Sequence, residues 1–275
     1  MTTKSFSARI AFAAIVLLVL TAGVSAHDFW IEPSTFAPRP EEAVRIRLRV
    51  GERFVGEPVA RNSAKIDRFV AVGPMGERPV LGRDGMDPAG LVRLDAPGLW
   101  FVGYRSKPGP LQLSAEAFEN YLREEGLERI IAERAARGES RTPGRERFSR
   151  SVKTLLRSGT GGGMNGFDRA LGMTLEFVLD ADPSGAPGAR VPMRLLHEGK
   201  PLAGALVVAF RKDAGTTGEG REALRARTDA DGRIAVNLEP GIWLVKAVHM
   251  ERAAADSGAD WESVWTALTF EVQAR

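Results

Sequence analysis

The chain has 275 residues, 38 Lys plus Arg against 35 Asp plus Glu for a formal charge of +3, and no cysteine. Without cysteine there is no disulfide, no Cys-ligated zinc or iron–sulfur site, no thiol nucleophile and no lipid-modified cysteine. Charges of both signs are interspersed and no basic run is interleaved with aromatics, so nucleic acid is not an expected partner.

Lys4 and Arg9 precede an unbroken apolar run from Ile10 to Leu20, and the small residues Val24 and Ala26 follow it. That is the pattern of a secretory signal peptide. Eleven apolar residues are too few for a bilayer span, which takes about 20. Cleavage after Ala26 therefore predicts a soluble periplasmic product with no membrane insertion, beginning at His27 and carrying 36 basic against 35 acidic residues.

Val44 to Val50 alternates apolar residues with arginine, as a half-buried strand does. Short strand runs follow at Arg68 to Val72, Leu91 to Asp95 and Leu99 to Tyr104, the last with Trp100, Val102 and Tyr104 on one face. Ser114 to Arg137 changes period: Phe118, Tyr121 and Leu122, then Leu127, Ile130 and Ile131, predict two short amphipathic helices around Gly126, with Ser114 as the cap of the first. Arg134 to Arg147 reads as a solvated loop and Arg147 to Leu156 as a weak strand. Residues 159–170 form a Gly-rich linker, whose chance G-x-G-x-x-G match lacks a βαβ context and carries no nucleotide site. Seven strand runs follow: Met173 to Leu179, Val191 to Leu196, Ala205 to Phe210, Leu224 to Arg227, Arg233 to Leu238, Ile242 to Met250 and Val264 to Val272. The expected fold is mainly β, with two antiparallel sandwiches at 27–158 and 171–275 and a helical insertion at 114–137.

The chain has three histidines. As a first residue, His27 offers a free amine and a ring nitrogen that close one chelate ring, a donor pair better suited to Cu, Ni or Co than to Ca or Mg. His249 shares a strand face with Trp243, Val245 and Ala247, which puts it at the rim of a core or in a site. His197 ends its strand and reads as a solvated edge residue. Asp28, Asp260 and Glu262 are available as oxygen ligands or as orienting carboxylates. Asp229 and Asp231 lack the ligand ladder of a calcium loop and read as a β-turn. No G-x-S-x-G elbow exists, so a hydrolytic nucleophile is not indicated.

Residues 199–205, 228–233 and 239–243 are turn-plus-strand units that resemble the transthyretin-like or carboxypeptidase-regulatory sandwich. The start His27-Asp28-Phe29-Trp30-Ile31-Glu32-Pro33, the segment Gly241 to Met250, the tail Ala259-Asp260-Trp261-Glu262-Ser263, and the middle pieces Tyr121 to Leu127 and Arg145 to Arg150 together resemble the family known as domain of unknown function 4198. The resemblance implies a periplasmic component of nickel or cobalt uptake, with a membrane transporter or another periplasmic protein as partner. A first-position histidine with a second, strand-borne one is also similar to a copper-binding histidine brace. On that likeness the metal ligands are the His27 amine and ring and the His249 ring, with Asp28 beside them. A non-catalytic module for protein or glycan partners and a copper-dependent oxidase are the alternatives.

Overall fold

The computed structural model describes residues 27–159, 166–183 and 188–274. The predicted signal peptide and the centre of the Gly-rich linker lie outside the described residues.

The first half contains β1 (Asp28–Pro33), β2 (Ala43–Glu52), β3 (Val55–Val59), β4 (Ile66–Gly73), β5 (Gly76–Pro79), β6 (Gly90–Arg93), β7 (Gly98–Ser106) and β8 (Gly109–Leu113). Then come α1 (Ala115–Glu124), α2 (Glu128–Ala136) and a long β9 (Gly144–Ser158). The second half contains β10 (Leu175–Leu179), β11 (Arg190–His197), β12 (Lys200–Pro201), β13 (Leu206–Lys212) and β14 (Arg221–Arg227). It closes with β15 (Arg233–Asn237), β16 (Gly241–Arg252) and β17 (Trp261–Val272).

The sandwich class holds, but the two sandwiches share a sheet. One nine-stranded sheet, β14-β13-β16-β17-β9-β7-β4-β5 with β8 also on β9, runs through both halves of the chain. Its halves meet where β17 pairs with β9 in parallel, while the other ladders of this sheet are antiparallel. A smaller sheet built on β2 (β1, β3 and β6) packs on one face, and one built on β11 (β10, β12 and β15) packs on the other.

The pleat of the central strands sorts side chains between these two cores. Trp100 and Val102 lie in the core under the β2 sheet, whereas Leu99 and Phe101 lie in the core under the β11 sheet. Leu244 and Val245 divide in the same way. A sheet covered on both faces needs apolar residues at consecutive positions, which is why β7 reads as a near-continuous apolar run.

The helical insertion covers the rest of β16 and β17. Ser114 Oγ accepts from the Ala117 N–H at 3.2 Å, capping α1, and Gly126 turns the chain at φ 66° into α2. Phe118, Tyr121, Leu122 and Ile130 pack on Val248, Met250, Trp261 and Trp265 in a third core. Gly144, the first residue of β9, gives Phe118 its place: a Cβ there would sit 2.3 Å from the ring.

The structure reverses one sequence reading and lengthens another. Arg134 is 1% exposed, not solvated. It donates to Glu119 at 3.0 Å and to the Glu139 and Thr142 carbonyls, and it lies over the Phe118 ring. The weak strand is the 15-residue β9, flanked by β7, β8 and β17; its charged residues hid it because two of them, Lys153 and Glu146, have buried partners.

One is Lys153, which lies 3.1 Å from Glu176 with both side chains 2% exposed. Glu176 also accepts the backbone N–H groups of Leu171, Gly172 and Met173 at 2.9, 3.0 and 3.2 Å. Burial and this partner pull the Lys153 ammonium in opposite directions, and burial leaves it below its ordinary range. The second buried polar cluster is at the insertion: Glu146 accepts from the Tyr121 and Ser263 hydroxyls, and Trp265 donates to Ser263. Burial raises Glu146 to about 7, against the pull of those hydrogen bonds.

Removing one member of a buried pair strands the other charge, at a cost of about 3–5 kcal/mol. Lys153→Met is expected to lose an amount in that range in urea unfolding, and Glu176→Leu at least as much, since three N–H groups lose their acceptor. For Glu146 the folded carboxyl titrates above the unfolded one. Its contribution is therefore complete below pH 4.5 and is lost as pH rises through about 7. Glu146→Gln is expected to lose roughly 2–3 kcal/mol less than the parent between pH 5 and pH 8, measured by denaturant unfolding at both.

Candidate functional site

His27 enters β1 from its N-terminal end, half-exposed, with Nδ1 3.3 Å from the carboxylate of Glu52. Asp28 is buried, and its carboxylate is taken: Lys246 Nζ lies 2.5 Å from Asp28 Oδ1 and 2.9 Å from Glu125 Oε1. Burial alone would lower Lys246, but Glu125 and Asp28 override it and hold the ammonium above its ordinary range. Burial raises Glu125 in spite of Lys246. Asp28 is thus one of two anchors for a buried lysine.

The expected set of His27, Asp28 and His249 is not brought together. Lys246 reaches Asp28 from the face of β16 that carries Leu244, under the β2 sheet. His249 lies three positions on, an odd offset that puts its side chain on the opposite face with Val245 and Ala247. The central sheet separates the two.

What His249 meets is His197. Their ring centroids are 4.3 Å apart with planes tilted 47°. His197 ends β11, where Glu198 and Gly199 turn the chain at φ 51° and 74° into β12. β11 and β16 belong to different sheets, so the two rings close one end of the core between them. His197 is therefore half-buried against a second imidazole, not a lone solvated edge residue. Its strand-end position was visible in the sequence; the strand that faces it across the sandwich was not.

Burial, then His197, lowers His249, with Glu251 opposing and Arg129 adding to the shift. The Glu251 carboxylate lies 3.6 Å from His249 Nε2. A neutral imidazole keeps a lone pair for a metal ion. Among the described residues no three His, Cys, Asp or Glu side chains form a group able to hold one. Asp260 is held by two contacts from Arg145, at 2.7 and 3.1 Å, and Glu262 stands opposite Glu251 in the β16–β17 register. Asp229 Oδ1 accepts from the Asp231 and Arg233 N–H groups, the β-turn expected of it.

Beside His249 lies a cavity of about 590 Å³. It exists because β13 and β16 differ in length: their pairing ends at Val207 and Ala247, and β16 runs on to Arg252 without it. The loop 202–205 and the start of α2 wall the gap. Arg129 donates to the Met250 carbonyl at 2.9 Å, and Arg227 ties the Gly126 and Gly204 carbonyls together. The insertion is thus one wall of this cavity. No helix among the described residues is long and apolar enough to cross a membrane.

A family model described as a domain of unknown function (DUF4198) matches residues 24–251. The chain belongs to this family. The DUF4198 match takes in all three histidines and both walls of the cavity. No curated protein matches the chain. Among solved structures it is similar to the D0-D1 domain of Intimin at 13% identity and a TM-score of 0.20, covering 89% of this chain and 98% of that one.

Lys246→Met would leave the Asp28 and Glu125 carboxylates buried without their shared cation. The variant is expected to lose about 3 kcal/mol in urea unfolding at pH 8, and to recover part of it at pH 5 as Glu125 takes up a proton.

Proposed function

We propose that this DUF4198 protein is an exported carrier of a transition-metal ion, Cu, Ni or Co, accessory to uptake or delivery by a membrane transporter or another periplasmic protein. The observation that carries this reading is the meeting of His197 and His249, 52 positions apart in the chain, at a ring separation of 4.3 Å. Neutral imidazoles are ordinary ligands for these ions. Two protein donors leave the remaining positions to exchangeable ligands. That suits an ion held as cargo better than one held as a permanent structural centre. With cleavage after Ala26, the amine and ring of His27 form a separate chelate on the other side of the central sheet, next to Glu52.

A second reading, a non-catalytic module for a protein partner, draws on a different feature. Leu81, Met86 and Leu91 are 67%, 53% and 48% exposed and line one cleft. An exposed apolar group of this kind marks a contact surface.

Calorimetric titration of the full, export-processed chain with Ni(II), Co(II) and Cu(II) separates these readings. One ion is expected to bind at the imidazole pair, His197→Ala and His249→Ala each weakening it about tenfold or more, with nitrogen couplings in the cupric EPR spectrum. His27→Ala is expected to leave that site intact. Absence of uptake of all three ions overturns the metal reading.

A further inference from the structure

His249, one ring of the imidazole pair, lines a volume far larger than a metal ion needs. A water molecule takes about 30 Å³ of liquid volume, so an ion with its remaining water ligands occupies roughly 150 Å³. The cavity at His249 holds about 590 Å³, within the range of small-molecule sites. Something beyond water fits there.

The walls say what kind of molecule. Leu127, Ile130, Leu202 and Leu206 supply apolar surface, and the fixed positive charges are Arg129 and Arg227. Arg227 is spent on structure: it donates to the Gly204 and Gly126 carbonyls and pairs with Glu128. Arg129 is less committed. One of its nitrogens donates to the Met250 carbonyl, its nearest carboxylate is Glu133 at 3.9 Å, and its side chain is 65% exposed. A guanidinium with donors to spare repels a bare divalent ion and attracts a carboxylate, which it holds through charge-assisted hydrogen bonds. Glu251, 3.6 Å from His249 Nε2, supplies the opposite charge next to that ring. The site thus offers a cation-favouring corner of two imidazoles and a carboxylate and, beside it on the wall of the apolar cavity, an anion-favouring guanidinium bonded to the Met250 carbonyl.

We propose that the species bound here is a metal ion already wrapped in a small carboxylate-bearing chelator. His197 and His249 complete its coordination from one side, the chelator body fills the cavity, and Arg129 receives a free carboxylate. This rests on the metal reading above and deepens it by naming the form in which the ion arrives.

Nickel with citrate tests it, using the full export-processed chain, with calorimetry for affinity and labelled citrate for retention on gel filtration. If the protein binds only bare nickel, citrate competes, and apparent affinity falls in step with the free-ion concentration. If it binds the complex, citrate strengthens uptake and elutes with the protein only when nickel is present. The second outcome is expected. Arg129→Met, which removes the charge, and Ala203→Phe, which fills the cavity from the loop, are each expected to lower uptake of the complex about tenfold relative to uptake of bare nickel. Pure competition by citrate, or an unchanged ratio in both variants, overturns the proposal while leaving the metal reading in place, provided bare nickel still binds and still depends on His197 and His249. No uptake of nickel in either form removes both.

Discussion

The buried contact between Lys153 and Glu176 is where the two halves of the chain are fastened. Lys153 projects from β9, the middle of the central sheet, and lies over the Phe101 ring as well as beside the carboxylate. Glu176 stands in β10, the strand that opens the second half. Its two oxygens take the ammonium and three successive N–H groups from residues 171–173, so the segment leading out of the linker has its backbone fixed by a single side chain. An ion pair this deep is a poor source of net stability, because desolvation offsets much of the attraction. Its effect is placement: no other position of β10 against β9 satisfies all four donors.

From that placement the geometry of the site follows. With β10 set, β11 lies over the second core and His197 arrives at its open end. The central sheet then acts as a partition. One face of β16 sends Lys246 toward Asp28 at the start of β1, and the other sends His249 toward His197. The pleat of one strand decides which histidines can cooperate. The helical insertion, which interrupts an otherwise all-strand chain, makes good a shortage left by β13: it covers β16 and β17 where β13 does not reach, and the space left between them is the cavity.

Much of this was legible in the sequence. Arg45, Arg47 and Arg49 between Val44, Ile46 and Leu48 announced a one-sided strand, and β2 is one. Ser114 and Gly126 marked the cap of α1 and the turn between the helices, and the phase of His249 with Val245 and Ala247 was right. The failures are as specific. β9 carries arginines, Lys153 and Glu146, and polarity at those positions looks the same in a sequence whether the partner is water or a buried opposite charge. The shared sheet was hidden because a glycine run signals flexibility, not separation, and a parallel pairing over more than a hundred residues leaves no local trace. His197 was misjudged for the same reason: its partner comes from the opposing sheet, and nothing near residue 197 says which strand will lie there.

The parallel ladder between β9 and β17 also sets the order in which the molecule can be completed. Until the last strand is present, β9 has an open edge, the insertion lacks Trp261 and Trp265 to pack on, and Glu146 has no Ser263 to bond. Contacts this far apart in sequence form slowly, because a long loop must be closed before they contribute. A polypeptide made N-terminus first therefore holds its first half in an unpaired, adhesive form until the last strand emerges to close it.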